Sequence, residues 1–525
     1  MRAKLPLAFS ILKASHYTFL ISVVIAITYN FLLFDYVVQN TNVWSASGLG
    51  ILISTVVIAF IFSYTIFSLL TLISLSILRT FLVIITVINA IAIYFMMTYQ
   101  VVLDRTMMGN IFNTRYSESV ELLSISLIIF IVMFGLIPAL LLTQIKVKQL
   151  DRVRVLANAL IAFIVSFSFL YANSTSWLWI DKHASILGGK ILPWSYIINS
   201  TRHHSSINRS TEGQKVLPDG VFTSNNKMVF VLVIGETARS DNFSLYGYSK
   251  LTNPKLQQQS NLLVLNNTKS CTTYTTGSLA CMLAPSNQHL GYEALPTYLT
   301  RQGVDVQWRT NNWGEPPIEV SSYIKAGELR SKCSGNGCNL DEVLLTNLTA
   351  TIESSDKEKV FVVLHTKGSH GPSYYTRYTK EFNQFIPVCR DEEVSKCSSE
   401  ELINAYDNTI LYTDHFLSTL INKLEKIKNT SAAMMYISDH GESLGEHGLY
   451  LHGTPYSFAP DYQKNIPFFI WLSDQYLDEN IFNVSNIRQA PNHSQFNVFH
   501  TVLGAFGFES PVYESAMDVL HKPED

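Results

Sequence analysis

Residues Tyr436 to Pro455 read YISDHGESLGEHGLYLHGTP, and this stretch holds His440, His447 and His452 beside Asp439, Glu442 and Glu446. Imidazole and carboxylate together offer the nitrogen and oxygen donors of a borderline dication, or the two partners of general acid–base catalysis. Adjacent Asp439 and His440 can point at one ion if the chain bends after them, and Gly441 is read as the residue that permits the bend. Two more segments end in similar groups: "VIGETAR" brings Glu236 and Thr237, and "HTKGSHGP" brings His365 and His370. Glu236, Asp439 and His440 form a candidate metal set, and a catalytic site of this kind leaves one position open. The plain alternative is a hydrogen-bonded loop.

The segment "SCTTYTTGSLACM" sets Thr272, Thr273, Thr275 and Thr276 between Cys271 and Cys281. A hydroxyl becomes a nucleophile when a bound dication favours its alkoxide. Spacing does not choose among the four threonines, and a hydroxyl-rich loop braced by its cysteines competes with the nucleophile reading. "GSLA" lets a helix start here, and a helix N-terminus attracts phosphate. Phosphoryl chemistry follows as the expectation.

Groups this far apart in sequence need a scaffold that gathers them. The runs "MVFVLVIGET", "NLLVLNN", "VDVQWRT", "KVFVVLHTKG", "AAMMYISDHGE" and "IPFFIWLS" are apolar throughout rather than alternating, as in strands covered by helices on both faces. An α/β layered domain is predicted, with the polar residues at the carboxyl ends of its strands, where such sheets bind ligands.

The rest of the chain belongs to a membrane. Of 525 residues only 15% are charged, 47% are hydrophobic and mean hydropathy is +0.17. Five apolar stretches, Tyr17–Phe34, Gly48–Leu78, Phe81–Leu103, Leu122–Ile145 and Val155–Ile180, are each long enough to span a bilayer. The first lacks a small-residue cleavage site behind it and is read as an anchor. Alternate connections carry Arg2, Lys4, Lys13, Arg79, Lys146, Lys148, Arg152 and Arg154 against Arg105 and Arg115. The positive-inside rule then puts the N-terminus in the cytoplasm and everything after Asp181 outside. The predicted organisation is a transmembrane domain over 1–180, a membrane-surface linker over 181–220 and a catalytic domain over 221–525. Trp177, Trp179 and Trp194 are placed at headgroup level or against the soluble domain.

Cys271, Cys281, Cys333, Cys338, Cys389 and Cys397 all fall in the exported part. Their three close couples predict disulfides 271–281, 333–338 and 389–397 in an oxidising compartment. A thiolate zinc site is disfavoured because the spacings match no standard C-x-x-C pair.

Taken together, "VIGETAR", the threonine-rich segment with its flanking cysteines, "HTKGSHGP" and "SDHGESLGEHGLYLHG", behind five spans, resemble the phosphoethanolamine transferases that modify lipid A in Gram-negative bacteria, a group that includes the mobile colistin-resistance enzymes. The resemblance implies an alkaline-phosphatase/sulfatase-like soluble domain in the periplasm, carried by a multi-pass protein of the inner membrane. It implies Zn2+ held by Glu236, Thr275, Asp439 and His440, one ion tightly and room for a weaker second. Thr275 is implied as the nucleophile, and His370 and His452 as groups facing phosphoethanolamine. His365 and His447 match no catalytic position and are read as structural. Phosphatidylethanolamine is implied as donor and lipid A as acceptor, with a covalent threonine intermediate and reduced surface charge that gives polymyxin resistance. Membrane lipids are the surroundings, nucleic acid is no partner, and a monomer is expected.

Three alternatives stand beside this reading. The first is transfer of phosphoethanolamine or glycerol phosphate to another membrane glycan or a core sugar. The second is a sulfatase, which lacks support because Cys281 is followed by Met282, Leu283 and Ala284 rather than the cysteine-x-proline-x-arginine element. The third is a non-catalytic lipid sensor, which has no need of a hydroxyl beside metal ligands. The topology has a direct check: a reporter that fluoresces only in the cytoplasm, fused after Asp525, should stay dark, and fluorescence would refute the orientation.

Overall fold

The computed structural model describes residues 12–113, 119–120, 122–148, 150–173, 176–210, 214–391, 393–480 and 492–521. Arg2, Lys4 and Arg115, which enter the charge argument, lie outside them. The chain divides into two compact units, Met1–Ser206 and Ile207–Asp525.

In the first unit, α3 (Ala46–Ile73), α4 (Leu75–Thr98), α5 (Ile125–Gln144) and α6 (Arg152–Ala172) are each long and apolar enough to cross a bilayer. The first expected span is a bent pair, α1 (Ala14–Thr28) and α2 (Phe31–Asn40), meeting at 51°. The bend has a polar cause. Asn30 donates through Nδ2 to the Leu192 carbonyl at 2.9 Å and accepts from the Leu192 N–H at 2.8 Å, so it pairs with backbone 162 residues away instead of continuing the helix.

Large apolar side chains point outward from these helices, Ile125 at 78% and Val165 at 62% exposure. That arrangement suits a hydrocarbon solvent and no aqueous one. Some polar side chains inside are paired across helices: Thr18 with Thr71 between α1 and α3 at 2.9 Å, and Trp194 Nε1 to Ser63 Oγ at 3.0 Å. Trp194 is therefore buried within the helical unit. The segment after α6 forms further helices, Ser176–Lys182, Ala184–Lys190 and Trp194–Ser210.

The second unit is built on a seven-stranded sheet: β1 (Met228–Gly235), β2 (Leu262–Leu265), β3 (Asp305–Thr310), β4 (Ser322–Lys325), β5 (Lys359–His365), β6 (Ser431–Ser438) and β7 (Phe468–Leu472). Its order is β2-β7-β6-β1-β5-β3-β4, parallel except for β7, which runs against both neighbours. All six apolar runs form strands. The edge strand β4 escapes a hydrophobicity reading because its residues alternate between half-buried and exposed. The central strands β1, β5 and β6 are buried along their whole length.

Their register fixes the site. Ile234 pairs with His365 and Gly235 with Ser438, so Glu236, Thr366 and Asp439 leave the sheet side by side. Helix α7 (Thr275–Met282) follows the threonine-rich segment, and α8 (Ser399–Leu424) starts at a capping box between Ser398 and Glu401. Tyr406 of α8 donates to the Thr237 carbonyl at 2.6 Å and accepts from the Arg239 N–H at 2.9 Å, which clamps the turn after β1.

Asn30→Ala should strip both bonds to Leu192 and leave that peptide unpaired, at about 1–3 kcal/mol. Thermal unfolding of the full-length protein in detergent should show a lowered midpoint; an unchanged midpoint would deny Asn30 its bracing role.

Candidate active site

The turn after β1 and the turn after β6 face each other through backbone donors. Asp439 Oδ1 accepts from the Thr237 N–H at 3.0 Å and from the His440 N–H at 2.7 Å, with Thr237 at φ 51°. The other oxygen, Oδ2, is thereby turned to within 3.2 Å of His440 Nε2, and Glu236 Oε1 lies 3.5 Å from the same nitrogen. His440 Nδ1 is 2.9 Å from the Gly441 carbonyl and must donate to it, so Nε2 presents a lone pair to two carboxylates.

Asp439 Oδ2 and His440 Nε2 are buried and have no hydrogen-bond partner among the described residues. Burial pushes the Asp439 carboxyl up to about 6. Burial, with the charge of His452 second, holds His440 well below the usual imidazole range. Both directions follow from burial, which disfavours the charged form of each group. Glu236, His440 and His452 offer ligand atoms within 4.8 Å of one another. Mixed nitrogen and oxygen donors with orphaned atoms at the centre fit a zinc ion.

Asn312, just past the end of β3, donates to Glu236 Oε2 at 2.6 Å and to the Thr366 carbonyl at 3.1 Å. Gly368, at φ 47°, passes so close that an added Cβ would come within 2.8 Å of the Glu236 carbonyl oxygen. Gly441 works differently from the sequence reading. Its φ is not positive, and it is small because a Cβ there would overlap the Tyr462 carbonyl.

The threonines now separate. Thr272 Oγ1 donates to the Tyr274 carbonyl at 2.8 Å, and Thr273 Oγ1 to the Thr454 carbonyl at 2.6 Å. Thr275, the first residue of α7, turns Oγ1 toward Glu236, 3.3 and 3.5 Å from its two oxygens. Gln495 ties the pieces together: it accepts from the Cys271 N–H at 2.9 Å and donates to the Asp439 carbonyl at 2.6 Å.

His452 packs its ring 4.3 Å from that of His440 and 5.5 Å from that of His370. Its Nδ1 lies 3.2 Å from Glu442 Oε2, a fully buried carboxylate. Burial, then the charge of His452, pushes His370 well below the usual range. Glu446 serves Arg239, whose Nη1 reaches it at 2.6 Å and the Glu442 carbonyl at 3.1 Å from between the Tyr406 and Tyr462 rings. His365 is buried, 3.9 Å from Glu315 and edge-on to Trp308, and His447 is exposed on a turn. Sequence reasoning misses Asn312, Arg239, Glu442 and Gln495 as partners. Glu442 and Arg239 lie in segments that the sequence singles out and Asn312 follows a predicted strand end, whereas Gln495 carries no signal.

Two of the expected disulfides are present, Cys333–Cys338 and Cys389–Cys397. The third is not: Cys271 and Cys281 are thiols. Cys281 is fixed on the buried face of α7 and Cys271 by Gln495, so the sulfurs meet as hydrogen-bonded neighbours, and that contact together with burial pushes the Cys271 thiol up.

The phosphoethanolamine transferase EptA/EptB family matches residues 59–206, and the sulfatase family matches residues 229–508. Phosphoethanolamine transferase EptA of Helicobacter pylori is 40% identical over 516 residues, covering 96% of each chain. The chain belongs to the phosphoethanolamine transferase family. Phosphatidylethanolamine transferase Mcr-1 of Escherichia coli is 32% identical over 492 residues, covering 87% of this chain and 89% of that one. The integral membrane lipooligosaccharide phosphoethanolamine transferase A of Neisseria meningitidis superposes with a TM-score of 0.88 at 28% identity, over 98% of this chain and 99% of that one. The transferase thus joins a multi-pass helical membrane region to a sulfatase-like catalytic domain.

Gly441→Ala should drive a methyl into the Tyr462 carbonyl and destabilise the transferase by about 1–3 kcal/mol. Gly327→Ala, whose added methyl meets nothing within 4 Å, should stay within about 0.5 kcal/mol of wild type. Equal unfolding midpoints for the two variants would contradict the contact.

Proposed function

We propose that this transferase carries phosphoethanolamine from phosphatidylethanolamine to a phosphate of lipid A, through a covalent intermediate on Thr275, on the periplasmic side of the bacterial inner membrane. The observation that carries this reading is that Thr275 directs its hydroxyl at the carboxylate–imidazole cluster while Thr272 and Thr273 spend theirs on backbone carbonyls. The names of the relatives support the substrates: Mcr-1 is a phosphatidylethanolamine transferase, and a 27% identical Escherichia coli relative is a Kdo(2)-lipid A phosphoethanolamine 7''-transferase.

Glu236, Asp439 and His440, with Thr275, would hold zinc. When bound, zinc there offsets the two carboxylates, favours the threonine alkoxide and takes up charge on the phosphoryl oxygens. Glu236, 3.3 Å from Thr275 Oγ1, is placed to receive the hydroxyl proton. A Thr275 Oγ–P bond forms as the P–O bond to diacylglycerol breaks, and the departing oxygen takes a proton. His452, whose Nδ1 lies 3.2 Å from Glu442 Oε2, would donate that proton. His370, kept neutral by burial, suits acceptance of a hydrogen bond from the substrate. In the second step a lipid A phosphate oxygen attacks phosphorus, the Oγ–P bond breaks and the hydroxyl is restored.

The product gains an ammonium group, which offsets phosphate charge and weakens attraction to polymyxins. Lipid A from cells with and without the protein separates this acceptor from a core sugar or another glycan by mass. For the intermediate, enzyme incubated with phosphatidylethanolamine alone should hold one phosphoethanolamine on the peptide between Cys271 and Cys281, localised to Thr275. Thr275→Ala should release no diacylglycerol. An adduct on a different threonine would overturn the residue, and an active Thr275→Ala enzyme without adduct would overturn the covalent route.

A further inference from the structure

Just beyond His452, the turn Pro455–Ala459 carries two aromatic rings outward, Tyr456 at 40% and Phe458 at 41% exposure. Their chain neighbours Gly453 and Ala459 are buried, so the turn is seated on the domain and only its tip projects. It is also rigid. The N–H groups of Phe458 and Ala459 both donate to the Pro455 carbonyl, at 2.8 and 2.9 Å, and Tyr456 donates its hydroxyl to the Ser270 carbonyl at 2.8 Å.

The same loop is stapled to the nucleophile segment. Gly453 N–H donates to the Thr273 carbonyl at 2.9 Å, and Thr273 Oγ1 returns the bond to the Thr454 carbonyl at 2.6 Å. The projecting rings are therefore continuous, through backbone hydrogen bonds, with the strand of chain that ends in Thr275. Cationic groups sit at their base: Lys464 Nζ lies 5.3 Å from the Tyr456 ring, and Lys269 and Lys464 flank Asp461 at 3.3 and 4.0 Å. Apolar rings beside ammonium groups, at the edge of a phosphoryl-transfer site, complement a molecule with phosphate at one end and hydrocarbon at the other.

We propose that the Tyr456–Phe458 turn is the docking surface for the glycerol and first acyl carbons of the donor lipid, the part that leaves as diacylglycerol. This rests on the reading of the donor as a glycerophospholipid. Docking there gives the acyl chains an apolar surface to cover, which strengthens binding of the donor equally before and during the reaction. In this placement the turn meets the lipid portion alone, so its effect is confined to binding of that portion.

The test uses the full-length transferase in phosphatidylethanolamine nanodiscs. A photo-reactive benzoylphenylalanine at position 458 should cross-link to lipid, and the same group at the exposed Ile386 should not. Phe458→Ser should raise KM for phosphatidylethanolamine about ten-fold, the loss of one ring's burial, with kcat nearly unchanged and zinc content intact. Absence of lipid cross-links at 458, equal yield at 386, cross-linking to protein instead, or an unchanged KM in an enzyme whose wild type releases diacylglycerol would each overturn the lip. A wild type that releases no diacylglycerol would instead overturn the donor assignment.

Discussion

Two carboxylates and an imidazole lone pair meet in a place that water does not reach, and the rest of the catalytic domain serves that meeting. Glu236 is 1% exposed and Asp439 and His440 are 0% exposed. Charges so buried cost several kcal/mol each unless a counter-charge and hydrogen bonds answer them. Hydrogen bonds answer on the outer side: Asn312 on Glu236, two backbone N–H groups on Asp439, the Gly441 carbonyl on His440. Each of these also rotates the remaining donor atom inward, so the protein's own satisfaction of the cluster creates the demand for a cation. Thr275 completes the ring as the first residue of α7.

Holding this arrangement takes a stiff foundation, and the three strands that deliver it are buried along their whole length. Their parallel pairing places Glu236 and Asp439 one residue beyond paired positions, and the turns leave no slack, with Gly368 against the Glu236 backbone and Gly441 against Tyr462. Arg239, sandwiched between two tyrosines, pins the loop that carries Glu442 and hence the orientation of His452. The helical unit answers a different solvent with the same rule, since Asn30 and Trp194 give inward polar groups partners while apolar side chains face out. A membrane-embedded protein whose substrates are lipids has no need to extract them into water.

Much of this is legible in the amino-acid sequence. Apolar runs locate six of seven strands, most plainly β1, β5, β6 and β7, where burial on both faces leaves a periodicity-free signature, and the strand-end rule points to Glu236, Asp439 and His440. The edge strand β4 leaves none. The choice among the threonines is invisible to composition, since it depends on which hydroxyl the α7 turn aims inward. Gly441 stands out in the sequence beside a bend at Asp439, but its need to be small is set by Tyr462, which lies 21 residues on. Cysteine spacing finds two bridges, Cys333–Cys338 and Cys389–Cys397, and brings Cys271 and Cys281 together as neighbours without a bond between them. Arg239, Gln495 and Glu442 act through contacts that no local pattern encodes.

The central claim is that the converging groups of Glu236, Asp439 and His440 hold a zinc ion beside Thr275. Anomalous diffraction at the zinc edge from crystals of the zinc-loaded full-length enzyme tests it most directly. The account predicts one strong peak among Glu236, Asp439, His440 and Thr275 Oγ1, lost in crystals of Asp439→Ala. No peak at that point, or a peak held instead by the Cys271 and Cys281 thiols, would contradict it.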